Sequence, residues 1–555
     1  MPKIPRLAVP AVLTATALAT WIAPAPALAA GPAGAAALAA NQASHLQAAD
    51  LTWNESDVTA VTLTGSSATT SSPNVTVSGS TVTVTAAGAY RFTGSLTNGQ
   101  IVVNSTGTGL VRLILNGVTV TGSTGAVNVV AADEVLLFLQ AGSTNRLTDG
   151  TASADGPIAS AADLTIAGTG SLTVTGNAND AINVKDGLVI AGGTITATAP
   201  DDAIRGQDYV IVSGGAITAT AGGDGLKSDN ADDATRGYVA VAGGTVNVTA
   251  TGDAITGETD VIVNGGTITA KAGGGSTVTP GEASTKGLKA GVLLVISDGT
   301  TTVDSSDDGL HSNASLTVDG GSARIATGDD GVHAETNVNI AGGTVNVTKS
   351  YEGVEGLKVL VTGGSVTATA SDDAVNASDP AYGEMQNSPN ALIRVTGGTV
   401  VVGGGTDGLD SNGALTIGGG TVVVTGSATR GGGEGGLDSN GALTITGGTL
   451  ISSGISATTS TLPSSGQGWV SVTFSANQPA GTVVHLATTS GTQIASYQPT
   501  KAFRGVVFSS SQITRGTVYA IRTGGSVSGT AVGGGLYTGG TLSGTQVATV
   551  TAGVR

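Results

Sequence analysis

No cysteine occurs among the 555 residues. That excludes disulfides, thiolate metal sites, cysteine nucleophiles and a lipidated N-terminal cysteine. Aromatic residues are nearly as scarce, at 3%. The apolar residues are mostly Val, Ile, Leu and Ala, a small aliphatic set that fills a thin, elongated interior better than a wide globular one. Basic residues fall short of acidic ones, 22 against 39, for a net charge of −17, so nucleic acid and anionic membranes make poor direct partners. Helical periodicity is essentially absent after the first 30 residues, and no later segment has the length and apolarity of a membrane span. Neither a Walker loop, nor a zinc-protease helix, nor the glycine-rich calcium nonapeptide of exported toxins is found.

What is present is repetition. From Asp180 to about Gly448 the chain repeats one phrase: an acidic residue, Gly or Ala, an aliphatic residue, and then strand running into Gly-Gly-Thr, as in the stretch from Asp330 to Thr348. The opening positions are Asp180, Asp202, Asp224, Asp253, Lys286, Asp308, Asp330, Glu352, Asp373, Asp407 and Gly435, a basal period of 22 with excursions. Within one copy Val332, Val338, Ile340, Val345 and Val347 alternate with polar residues, which reads as three short strands. The same positions recur as Ile204, Val210, Val212, Ile217 and Ala219. A fixed period of this size, with apolar positions that align from copy to copy, predicts an all-β fold: a right-handed parallel β-helix, an open solenoid of about 22 residues per coil with β-rich caps at both ends. The Gly-Gly pairs fall between the second and third strands, where a sharp corner favours glycine.

In chain order, residues 1–30 read as a secretory signal peptide, with basic Lys3 and Arg6, an apolar run from Leu7 to Ile22, and Ala27-Leu28-Ala29 suited to cleavage. Residues 31–50 read as a flexible mature N-terminus, 51–155 as an N-terminal β cap with the first irregular coils, 156–454 as the repeats, and 455–555 as a C-terminal β cap. The expected location is therefore secreted, outside the cell or associated with its surface. Insertions at Asp229 to Thr235, Ala272 to Thr285, Ser378 to Pro389 and Ser427 to Glu434 all flank the Asp-Gly-aliphatic corner, the kind of loop cluster where function is placed.

Stacked copies lie about 4.8 Å apart, so the opening aspartates form an acidic row, joined by acidic neighbours. Two like charges about 5 Å apart repel by roughly 3 kcal/mol at an effective dielectric near 20. Calcium, a hard cation satisfied by carboxylate and carbonyl oxygens, would offset this. The expected ligands are Asp201, Asp202, Asp224, Asp229, Asp232, Asp253, Asp307, Asp308, Asp329, Asp330, Asp372 and Asp373. The competing reading is that each Asp accepts hydrogen bonds from turn amides. Three residues after each opening position runs an outer row: Asn183, Arg205, Lys227, Thr256, Lys289, His311, His333, Glu355, Asn376, Asp410 and Asp438. Alternation points it outward, where Arg205, Lys227, Lys289, His311 and His333 are the candidate contacts for an anionic polymer. A two-His metal pair is the alternative for the last two. Threonines such as Thr194, Thr196 and Thr198 line a third face, as solvent-facing strand residues do.

Lys349-Ser-Tyr-Glu-Gly-Val-Glu-Gly356, the recurring Asp-Gly-aliphatic phrase with Gly-Gly-Thr, and the run from Asp163 to Val174 resemble the bacterial secreted carbohydrate-binding β-helix family first defined from a clostridial cell-surface protein. The resemblance runs from about residue 50 into the C-terminal region. It implies a fold similar to pectate lyases, bound calcium, and binding of acidic plant polysaccharide such as polygalacturonate, with cellulose as a further partner. Lys286 and Gly435 depart from the motif and are not counted as metal sites. The reading that follows is a noncatalytic, calcium-dependent binder of acidic polysaccharide. The alternatives are a calcium-dependent polysaccharide lyase using Arg205, Lys227 or Lys289 as base, and a structural adhesin or cell-surface rod.

Overall fold

In the computed structural model, residues 34–430 and 434–553 are described. The signal-peptide reading of residues 1–30 lies outside them. Strands dominate, and successive copies of the repeat pair in parallel with their equivalents one copy away. The corner strands Ile204–Gly206, Leu226–Ser228 and Ile255–Gly257 form one ladder. The middle strands Gly187–Ile190, Tyr209–Val212 and Tyr238–Val241 form a second. The threonine-bearing strands Thr194–Ala199, Ala216–Ala221 and Thr245–Ala250 form a third. This last ladder alternates exposed and buried residues, so Ile195, Ala197, Ile217, Ala219, Val246 and Val248 point into a single long core. Each fully buried Ile or Val of this kind contributes about 1.5–3 kcal/mol.

The expected open, right-handed parallel β-helix is corrected in its architecture. The parallel sheet closes: it is a closed parallel β-barrel carrying extra strands, not an open solenoid. The physical reason lies at the corners. Strands Asp260–Ala272 and Leu293–Ser305 run 13 residues each straight through the corner between the middle and third ladders. Hydrogen bonding therefore continues around the wall, and 43 strands belong to one sheet. Glycine makes that possible. At Gly343, φ is +65° and a Cβ would stand 2.3 Å from the Gly320 carbonyl oxygen of the tier below. The glycine of the Asp-Gly-aliphatic phrase answers a different constraint. At Gly309 a Cβ would lie 2.6 Å from the Gly331 carbonyl oxygen and 2.3 Å from Ile325.

Residues 58–148 belong to the same wall, with Val58–Gly65 parallel to Gly88–Thr97. Toward the C-terminus, Thr449–Gly454 pairs antiparallel with Phe503–Ser509. A separate six-stranded antiparallel sheet runs from Val484 to Thr551. Tyr497 and Tyr519 of this sheet are buried in one core with Phe503, Phe508, Val423 and Ile451 of the wall, so these aromatics pack rather than display a sugar-stacking face.

The segment expected to be a flexible mature end contains a short helix, Gly34–Ala40, and lies on the outside of the middle ladder. Ala37, Leu38 and Leu46 pack against Val189, Tyr209, Ile211, Tyr238, Ala240, Ile262 and Val295. Gln42 accepts a 2.6 Å hydrogen bond from the Tyr238 hydroxyl, and Asn41 donates to Asp260 at 2.8 Å. His45 meets Tyr209 and Thr165 at 2.8 and 2.9 Å. The footprint is visible in the sequence. Beneath the strap the middle strands are apolar on both faces (Val210-Ile211-Val212, Leu294-Val295-Ile296). In the next two tiers the outward position turns polar, Thr317 and then Asn339.

Candidate functional site

The acidic row exists, and its first task is structural. One oxygen of each opening aspartate accepts the backbone N–H of the next opening position. Asp202 N–H donates to Asp180 at 3.2 Å, Asp224 N–H to Asp202 at 2.7 Å, Asp253 N–H to Asp224 at 2.8 Å and Lys286 N–H to Asp253 at 2.7 Å. The pattern resumes from Asp330 N–H to Asp308 and from Glu352 N–H to Asp330, both at 3.2 Å, and from Asp407 N–H to Asp373 at 2.8 Å. Gly435 N–H donates to Asp407 in the same way. An aspartate is long enough to cross one tier spacing and satisfy an amide that the turn would otherwise leave unpaired. The second oxygen of each carboxylate faces the outer row, and there the two ends of the row differ.

The outer row also stacks in register: Arg205 beside Lys227, Lys227 beside Thr256, Thr256 beside Lys289, Lys289 beside His311, and His311 beside His333. Its cations bend back onto the carboxylates. Lys227 Nζ lies 3.1 Å from Asp202 Oδ2 and 2.9 Å from Asp224 Oδ2. Arg205 pairs with Asp229 at 2.6 Å and approaches Asp180 at 3.9 Å, and Lys289 meets Asp253 at 3.4 Å. Lys286, which stands where an aspartate is expected, puts its ammonium 2.7 Å from Asp307 and 2.8 Å from Asp308, the position a metal would take. His311 is buried, with Nδ1 2.8 Å from Asp308 and Nε2 2.8 Å from Asn313. The structure thus places Asp202, Asp224, Asp253, Asp307 and Asp308 in ion pairs, and commits Asp229 to Arg205. Asp232 is exposed on the insertion, its N–H bonded to Asn230 at 2.9 Å.

These contacts shift the titrations in opposite directions along the row. Burial works against the Lys227 ammonium, but Asp224 and Asp202 outweigh it and hold its pKa above the ordinary value. Burial would raise Asp308, but hydrogen bonds from His311 and Lys286 win and hold it well below the carboxylate range. Beyond His333 neither row carries a lysine or arginine. Burial, then Glu355 and Asp330, push Glu352 up to about 10. Burial and Asp330 push Glu355 to about 8. Burial pushes Asp407 to about 8, and burial with Asp373 and Asp438 pushes Asp410 to about 7. Asp373 is raised by burial despite hydrogen bonds from Thr406 and Asp407, and Thr406 also donates to Asp372 at 2.6 Å. Among the described residues Glu352 Oε2, which is buried, has no hydrogen-bond partner.

Calcium needs several oxygens and no competing cation. The set Asp180, Asp201 and Asp202 meets the first need, with ligand oxygens within 4.8 Å of one another and Asp180 Oδ2 buried without a hydrogen bond among the described residues, but Lys227 at 3.1 Å from Asp202 and Arg205 at 3.9 Å from Asp180 compete with an ion there. Burial and Asp202 push Asp180 up to about 7. The set Asp307, Asp308 and Asp329 is equally compact, but Lys286 already fills it. The run Asp373, Asp407, Asp410 and Asp438 fits in charge, and among the described residues no lysine or arginine is ion-paired with it. Sequence reasoning gave no site role to Asp180, Glu352, Glu355, Asp407, Asp410 and Asp438. The signal was available, because the outer row turns from Lys and Arg through His to Glu and Asp along the chain.

An all-β wall carrying stacked carboxylates defines the class, and the comparisons place the chain within it. The family model described as "Carbohydrate-binding domain-containing protein" matches residues 78–331 and 329–472, so the chain belongs to that family. A carbohydrate-binding domain-containing protein of Acetivibrio thermocellus is 35% identical over 135 residues, 22% of this chain and 47% of that protein. The chain thus spans about half the length of the curated relative it matches. The solved structure of the polysaccharide lyase-like protein from C. thermocellum, a gadolinium derivative, is similar at 31% identity and a TM-score of 0.40, over 42% of this chain and 95% of that one. Among the described residues no helix is long and apolar enough to cross a membrane.

Proposed function

We propose that this protein is a noncatalytic, calcium-dependent binder of acidic polysaccharide such as polygalacturonate, acting outside the cell or at its surface. The observation that carries this reading is the cation-free stretch of the two rows from Glu352 to Asp438, where carboxylates are crowded and raised with no lysine or arginine in either row. Calcium held there would keep open positions for uronate carboxylates, since it accepts six to eight oxygens in loose geometry. Membership in a carbohydrate-binding family supports a glycan as the partner. The leader-like first 30 residues support an extracellular location, where the ion is abundant.

A lyase would need a base of lowered pKa beside the metal. Arg205 and Lys227 are instead held protonated by the aspartates they pair with, which favours binding without turnover. The test is to incubate the full chain with polygalacturonate and calcium, with and without chelator, and in parallel with cellulose. Calcium-dependent capture without rising absorbance from unsaturated products is the expected result. Product absorbance would establish a lyase, and no capture of either polymer would leave a structural rod.

A further inference from the structure

At the junction between the cation-paired and cation-free stretches, His333 is set among carboxylates in an unusual way. Its Nδ1 lies 3.3 Å from Asp330 Oδ2, 3.6 Å from Glu355 Oε2 and 3.8 Å from Asp308 Oδ2. All three are longer than a good N–H···O hydrogen bond, and among the described residues neither ring nitrogen has a partner in hydrogen-bonding geometry. Around a small tetrahedral ion with metal–ligand distances of about 2.0–2.2 Å, neighbouring donor atoms stand roughly 3.3–3.6 Å apart. That is the spacing of His333 with Asp330 and Glu355. The three ligand atoms lie within 4.8 Å of one another. His333 and Glu355 keep side-chain exposures of 22% and 20%, which leaves a way in from solvent.

We propose that Asp330, His333 and Glu355 form a site for one divalent transition-metal ion of the zinc type, with a fourth, solvent-facing position open. Asp308 stands behind it, oriented by His311 and Lys286 at 2.8 Å each. An imidazole nitrogen in the set selects against calcium, which takes oxygen, and for zinc, cobalt or nickel. In the preceding tier Asp308 and His311 are also close to His333, but they are already engaged, Asp308 by Lys286 and His311 at 2.8 Å each and His311 Nε2 by Asn313 at 2.8 Å, and in the following tier Asn376 takes the place of Glu355. The proposal does not rest on the glycan reading. It stands or falls on metal uptake alone.

The test uses the metal-stripped full chain. Zinc chloride is titrated by calorimetry, and cobalt(II) serves as the spectroscopic probe, because a tetrahedral nitrogen–oxygen site gives it intense visible absorption. The expected result is one zinc per chain, not displaced by calcium at the same concentration. His333→Ala and Glu355→Gln should each weaken uptake by about 100-fold or more, and His311→Asn, which acts through Asp308, by about 10-fold. The melting temperature of each variant in chelator confirms that it folds, and His333→Asn replaces His333→Ala if the latter does not. Absence of stoichiometric zinc, equal affinity in the His333 and Glu355 variants, or displacement by equimolar calcium would each overturn the proposal.

Discussion

From Asp180 to Asp308 the carboxylate row is accompanied by Arg205, Lys227, Lys286 and Lys289, each within 4 Å of an aspartate. From Asp330 to Asp438 the row carries Glu352, Glu355, Asp373, Asp407 and Asp410, with no lysine or arginine partner among the described residues. The aspartate-to-amide ladder runs through both stretches, broken only at Lys286 and at Glu352, so the turn chemistry does not account for the difference. The first stretch neutralises itself with covalent cations, and the second is left to protons or to ions from solution. A repeat can therefore keep one turn chemistry for stability while the residue three positions on decides whether a tier is closed or receptive.

The comparison can be broken most forcefully at Lys286. Lys286→Asp removes the ammonium between Asp307 and Asp308 and adds a charge, so we expect a loss of about 4 kcal/mol without divalent ions, read by urea unfolding, with partial recovery in calcium. Lys227→Met strands buried Asp202 beside Asp224 and should cost about 3 kcal/mol in the same assay.

pH sharpens the contrast. Glu355 and Asp407, raised to about 8, hold protons in the folded chain that the unfolded chain has released above about pH 4. The stability they contribute is full below that point and is lost as pH rises through 8. His333, raised to about 9, runs the same way: its contribution is present below about 6.5 and lost through 9. In chelator, stability should fall between about pH 5 and 8 by roughly 1.4 kcal/mol per pH unit for each such carboxyl, and Asp407→Asn should flatten the slope. The smallest effect is expected from Asp410→Asn, which relieves repulsion and should leave chelated protein unchanged or more stable by about 1 kcal/mol. The equivalent neutralisation in the first stretch, Asp224→Asn, should destabilise it.

Much of this was legible beforehand. The 22-residue spacing located the stacked apolar positions and the acidic row, because parallel pairing converts sequence period into spatial register. The closure of the sheet was not legible, since it depends on strands such as Asp260–Ala272 running through their corners. Alternation correctly assigned Lys227 and Arg205 to the outer face, but long aliphatic stems let their heads reach back to aspartates, and no periodicity reports that. His311, expected to face solvent, is buried through its bonds to Asp308 and Asn313. The packing of residues 34–46 was encoded in the doubly apolar middle strands under them.

The most direct test of the whole account is retention of the full chain on immobilised polygalacturonate across a calcium titration, with Asp373→Asn/Asp407→Asn/Asp410→Asn set beside Lys227→Met. The account predicts retention that disappears in chelator and in the triple variant and survives in folded Lys227→Met. Undiminished retention after exhaustive removal of metal would contradict it.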